Sequence, residues 1–317
     1  HRTDTCDIQV SVRTIARLFA TIKERSLMGT KTVLSFRSVD PEARIGLPSG
    51  RFTTPHQLSS FLGGCLLMGV VYGIGLLLKD RGDWGPEMWS YLAGYQGFPI
   101  IMMILSCWSA SILIIKALKI RAQRKALSLQ LIPNDPKFTV TTATALKVIQ
   151  AIESSVEDSR RFMYLNRIVI ALRSMRNVGR IGDIDEMLQS AAENDEAGAE
   201  SGYTLLKGFV WAIPVLGFIG TVVGLTQAMG KFKLALAPVV SGGNQQGVSQ
   251  VSQGLLEVLR GLDVAFVTTA EALILVFIIH MVSVFIRSAD EAILDDTREA
   301  AHDNIASRVR IELETGG

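Results

Sequence analysis

The sequence predicts an all-α membrane protein: four transmembrane helices with a helical cytoplasmic extension. Three observations lead there. Charged residues make up only 20% of the 317 residues and the mean hydropathy is +0.31, a balance typical of chains that bury much of their length in lipid. Four stretches, 58–78, 98–118, 211–229 and 261–286, are almost free of charge and about as long as the roughly 20 apolar residues that cross a bilayer. Their basic flanks are unevenly placed, which sets orientation. A net charge of +2 is too small to point to a nucleic-acid partner.

Residues 1–57 form a basic N-terminal arm with Arg13, Arg17, Lys23, Arg25, Lys31, Arg37, Arg44 and Arg51. Within it, Val12, Ile15, Leu18, Phe19 and Ile22 recur at helical spacing opposite basic residues. This pattern fits an amphipathic helix on the cytoplasmic membrane surface and equally an ordinary soluble helix. Residues 58–118 hold transmembrane helices 1 and 2. The short link between them carries Trp84, Trp89, Tyr91 and Tyr95, which favour the headgroup level. The second span ends in Lys116, Lys119, Arg121, Arg124 and Lys125. By the positive-inside rule this end is cytoplasmic, as is the basic N-terminus.

Residues 119–206 read as a cytoplasmic helical segment. Leu146, Ile149, Ile152, Val156, Phe162, Leu165, Ile168 and Leu172 predict a helical run across 141–178, followed by an acidic helix or linker at 183–200. The segment shows no phosphate loop, triad or metal-ligand spacing, and the chain is expected not to be an enzyme. Cys6, Cys65 and Cys107 form no CxxC, and the two inside apolar stretches suit small packing roles.

Residues 207–287 hold transmembrane helices 3 and 4, joined by an external connection that contains the flexible SGGNQQG; residues 288–317 are a charged cytoplasmic C-terminal tail. The third span is the most informative stretch. Gly217, Thr221, Gly224 and Ala228 follow spacings that put them on one helix face, and Gly220 with Gly224 makes a GxxxG. Small residues let helix backbones approach closely in lipid, so this helix is built to be packed against others. In the fourth span, Thr269 shares a small-residue face with Ala265 and Ala272, and Thr268 shares another with Glu271.

Two motif stretches carry a resemblance. Pro214, Leu216, Gly217, Gly220, Thr221, Gly224 and Leu225, with Leu262, Ala265, Thr268, Thr269, Ala270 and Leu273, resemble the third and fourth membrane helices of the MotA/TolQ/ExbB proton-channel family. The resemblance covers about a quarter of the chain at motif level. It implies a channel-forming subunit of an ion-driven motor in the bacterial inner membrane, multi-pass with both termini cytoplasmic. It further implies a pentamer around single-span helices of a MotB/TolR/ExbD-like partner, whose Asp takes and gives the ion. No cofactor is expected beyond the transported proton or sodium ion. The threonine lining suits sodium, whereas the motif wording is closer to proton-driven members. The four-span layout resembles the flagellar branch, while the local wording resembles TolQ/ExbB.

The resemblance implies that Thr221 and Thr269 line the ion path; Thr268 and Glu271, polar groups in an apolar span, are further candidates for it. Pro214, Gly217, Gly220, Gly224, Ala265 and Ala272 are candidates for helix packing. For Thr221 the simpler role, a hydroxyl bonded to its own helix, stands beside the ion-path role. Glu271 occupies a place where the family usually has a small residue. It is open to three roles: a second carboxylate on the path, a pair with a neighbouring subunit, or an anchor at the outer interface. His280 is either a proton relay or a hydrogen-bonded packing residue. The rival to a motor is a non-transporting membrane scaffold or sensor whose cytoplasmic helices bind other proteins; it has no use for Thr221 and Thr269 facing a common axis.

Overall fold

The computed structural model describes residues 35, 39–80, 89, 97–129, 142–175, 181–240, 246–305 and 307. The amphipathic pattern at 8–27, most of the aromatic link and residues 241–245 of the external connection lie outside the described residues. Among the described residues the structure is helical and contains no β-strand. The helices are α1 (Pro41–Arg44), α2 (Gln57–Leu78), α3 (Phe98–Leu127), α4 (Thr142–Ser155), α5 (Met163–Ser174), α6 (Ile181–Ser201), α7 (Thr204–Val240) and α8 (Gln246–Asn304). Among the described residues, four stretches of helix are long and apolar enough to cross a membrane; they take in α2, α3 and most of α7 and α8. The third and fourth helices run well beyond their apolar centres. Pro214 lies inside α7, as membrane helices allow when neighbouring groups satisfy the freed carbonyl.

The chain divides into two compact units, one of residues 60–114 and 203–285, the other of residues 1–59, 115–202 and 286–317. In the first, α2 and α3 meet where α2 has glycine: a Cβ at Gly64 would stand 2.8 Å from the Trp108 Cα. The Trp108 indole donates to Ser60 Oγ at 3.1 Å and lies 4.9 Å, centroid to centroid, from both Phe61 and Phe209. One half-buried aromatic side chain thus ties α2, α3 and α7, with its indole N–H satisfied.

The second unit has an apolar core. Ile149 and Ile152 of α4, Leu165, Ile168 and Leu172 of α5, Ile184 and Leu188 of α6, Ala301 of α8 and Ile305 just past its end pack together. The helical run expected across 141–178 is interrupted. Chain between Ser155 and Met163 turns through a 3₁₀ segment, Ser159–Arg161, whose first amide groups are capped by Asp158 accepting from the Arg160 N–H at 3.0 Å. The polar run Glu157-Asp158-Ser159 competes locally for backbone hydrogen bonds, which ends one helix and starts the next. The apolar period survives the break because Val156 and Phe162 both remain in the core.

Buried charge also organises this unit. Lys116 Nζ meets Asp290 Oδ2 at 2.6 Å, and Arg167 Nε meets Asp195 Oδ2 at 2.9 Å, every side chain no more than 3% exposed. Lys119 meets Glu42 and, at 3.8 Å, Asp40. It also donates to Ser49 Oγ and to the Gly50 and Thr54 carbonyls. Glu42 in turn accepts from the Gly50 and His56 amides and from the Ser59 hydroxyl. Residues 40–59 are therefore clasped around one lysine of α3. In the basic flank of the second span, Lys116 and Lys119 are thus buried ion-pair partners, whereas Arg121, Arg124 and Lys125 are exposed.

Candidate functional site: the α7–α8 helix pair

The site is built on a seam where α7 and α8 approach closely in antiparallel fashion. Gly217, Gly220, Gly224 and Ala228 supply the α7 side. A Cβ on Gly217 would stand 2.5 Å from Ala272 Cβ, one on Gly220 3.0 Å from Thr268 Oγ1, and one on Gly224 3.1 Å from the Gly261 carbonyl. From α8 the seam is closed by Gly261, Ala265, Thr268 and Ala272; the last three are 2% exposed or less. Gly261, whose Cβ would collide with Ala228, belongs to the seam although the sequence pattern of α7 did not single it out. Its signal is the small-xxx-small pair Gly261/Ala265 on α8.

The seam has two edges. On one, Gly217 faces Thr269: the Thr269 hydroxyl donates to Ala265 O at 3.2 Å and reaches the Gly217 carbonyl at 3.4 Å. Thr221, one turn along α7 from Gly217, is half-buried and falls on this same edge by helical rotation. Gly217 packs opposite Thr268–Ala272 and Gly224 opposite Gly261–Ala265, so Thr221 and Thr269 lie within about one helical turn of each other in depth. On the other edge Gly220 faces Thr268, and Glu271 follows Thr268 by three residues on the same flank. The four candidate path residues are therefore split: Thr221 and Thr269 share one edge, Thr268 and Glu271 the other.

All three threonine hydroxyls spend their proton on backbone carbonyls. Thr221 donates to Phe218 O at 2.6 Å and Thr268 to Ala265 O at 3.1 Å, alongside the Thr269 bond. A hydroxyl that donates inward presents its oxygen lone pairs outward, and these can accept from water or coordinate a cation without adding charge. Glu271 is half-buried, and its Oε2 is enclosed with no hydrogen-bond partner. His280 is exposed on the surface of α8, so it does not act as a packing residue within the chain. No cluster of His, Cys, Asp and Glu that could hold a metal occurs among the described residues.

Beside the seam, a cavity of about 480 Å³ lies between the start of α3, the C-terminal half of α7 and the N-terminal half of α8, with Phe98, Gly220, Gln227, Asp263 and Thr268 among its lining. Also in its lining, Lys231 of α7 meets Glu257 of α8 at 2.7 Å, and Arg260 joins at 3.2 Å. The hydrogen bond and charge of Lys231 hold the Glu257 carboxyl below its ordinary range, with Arg260 helping.

Together, the helical structure and its four apolar membrane-length helices define an all-helical membrane protein, in which α7 and α8 form a hydroxyl-edged pair. Residues 168–299 match the family model described as the MotA/TolQ/ExbB proton channel family. The match contains α6, α7 and most of α8, and the resemblance read from two short motifs is thereby found again over a longer segment. It supports a membrane ion-channel subunit. No curated protein and no solved structure matches the chain.

Proposed function

We propose that the chain is the channel-forming subunit of an ion-driven motor. In this reading five copies surround single-span helices of a MotB/TolR/ExbD-like partner in the bacterial inner membrane, with both termini cytoplasmic. The observation that carries the reading is the placement of Thr221 and Thr269 on one edge of the α7–α8 seam, with their hydroxyl oxygens free to accept. An uncharged wall of that kind suits passage of an ion whose binding carboxylate comes from another helix. This chain would supply the wall, the partner the titrating Asp, and movement of one set of helices within the other would carry the work outward. A proton is favoured over sodium on the motif wording.

The test is a pair of substitutions at Thr269. Val keeps shape and volume but removes the hydroxyl, whereas Ser keeps the hydroxyl and loses a methyl. With complex recovery scored in parallel, Thr269→Val should abolish ion-driven work without loss of assembly, and Thr269→Ser should retain part of it. Packing alone predicts the reverse order. A fully active Val variant would remove Thr269 from the path and leave only its role in helix contact.

A further inference from the structure

The edge of the seam opposite Thr221 and Thr269 carries its own polar constellation. Glu271 is ten residues from Gly261, where the fourth apolar stretch opens, and fifteen from Ile286, where it closes. At a rise of about 1.5 Å per residue it stands roughly 15 Å below the outer end, near the middle of a bilayer core about 30 Å thick. Its Oε2 is enclosed and has no hydrogen-bond partner. An unpaired charge at that depth is costly, and carboxyl groups kept there serve ion or proton transfer by default.

Two further observations say where Glu271 is reached from. Thr268, one turn nearer the outside on the same flank, lines the cavity of about 480 Å³ that extends to Lys231 of α7 and Glu257 of α8, beyond the uncharged centres of the two spans. It is the innermost α8 residue of that lining, and its oxygen presents lone pairs because its proton goes to Ala265 O. Glu271 also lies within charge range of Tyr72 of α2, which in turn lies within range of Cys107 of α3. Glu271 therefore faces helices of its own subunit. Tyr72 of α2 is the titratable group within range of it; the span of α7 from Trp211 to Met229 carries no charge.

We propose that Glu271 is a proton-binding site inside each subunit, filled from the outer cavity by way of Thr268 and separate from the groove edged by Thr221 and Thr269. A proton enters past Phe98 and Asp263, is relayed by water at the Thr268 oxygen, and is held on the Glu271 carboxyl. The site rests on the membrane placement of α8 and stands or falls apart from the motor reading.

Dicyclohexylcarbodiimide tests it, since this apolar reagent couples to protonated carboxyl groups in membrane interiors. The full chain in sealed right-side-out vesicles is labelled briefly after a jump in external pH, and the label is mapped by peptide mass spectrometry. Label is expected on Glu271, falling as external pH rises, and lost in Glu271→Gln. Thr268→Val should delay the response to the external pH jump, while Thr269→Val should leave it unchanged. No label on Glu271 at any pH, or label indifferent to external pH, overturns the proposal. An equal delay in the Thr269→Val variant also overturns it, because the carboxyl would then share the other groove. Loss of motor activity in Thr269→Val with the Glu271 pattern intact would leave both readings standing.

Discussion

Glu42 is one residue of a four-residue helix, yet its carboxylate gathers two backbone amides, a hydroxyl and an ammonium. Burial pushes this carboxyl up, but the hydrogen bonds from Lys119 and Ser59, the Lys119 charge and the Gly50 amide outweigh it and hold the group below its ordinary value of 4.5. Because the folded value lies below the unfolded one, the stability it contributes is present above about pH 4.5 and is lost as pH falls through the folded value. Asp195 behaves oppositely. Burial dominates over Arg167 and Arg51, so the carboxyl stands above its ordinary 3.8, and its contribution declines as pH rises from 3.8 through the folded value. Glu42→Gln is expected to cost about 3 kcal/mol at neutral pH, the lower end for breaking a buried pair, since Asp40 remains beside Lys119. In detergent melts across pH, the gap between Glu42→Gln and the wild type should narrow below pH 4.5. For Asp195→Asn the gap should narrow as pH rises. The same pH trend in both variants would contradict this account.

At the scale of the element, the α7–α8 seam depends on the absence of side-chain atoms. A Cβ at Gly217 would meet Ala272 Cβ at 2.5 Å, a methyl that cannot rotate away, whereas one at Gly220 would meet the Thr268 side chain, which can. Gly73 and Gly208 have open space where a Cβ would stand. Gly217→Ala should therefore cost about 1–3 kcal/mol as overpacking, Gly220→Ala less, and Gly73→Ala or Gly208→Ala nothing measurable. Adding Ala272→Gly to Gly217→Ala should restore most of the loss, because it removes the methyl that collides. Thermal unfolding of the purified chain in detergent reads this order, and failure of the double variant to recover would place the clash elsewhere.

At the scale of the whole molecule, the side of α7 turned away from the seam remains uncovered. Trp211, Phe218, Val222, Leu225 and Met229 are between 39% and 71% exposed and follow one helical stripe. Lipid or further copies of the chain must cover that stripe in a membrane. The proposed pentamer predicts a five-fold species by native mass spectrometry of the full chain released from detergent. A stable monomer or dimer under conditions that preserve the fold would count against the motor reading. The exposed place of His280 on α8 means that any role for it also depends on what lies against the subunit.

The sequence by itself determined the membrane class and its four spans, because length and apolarity alone set whether a helix can cross lipid. It also determined that α7 packs closely on another helix, because Gly217, Gly220 and Gly224 leave a groove whatever the partner is. Other features only the tertiary structure decided. Asp40 and Glu42 lie far along the chain from Lys119, and no local spacing announces that they meet. The break between α4 and α5 was hidden because Val156 and Phe162 keep the apolar period across it. Most of all, the division of Thr221 and Thr269 from Thr268 and Glu271 depends on how far α8 is rotated against α7. Helical spacing assigns residues to faces of one helix; only the contacts of Gly217 with Thr269 and of Gly220 with Thr268 fix which face turns toward which neighbour.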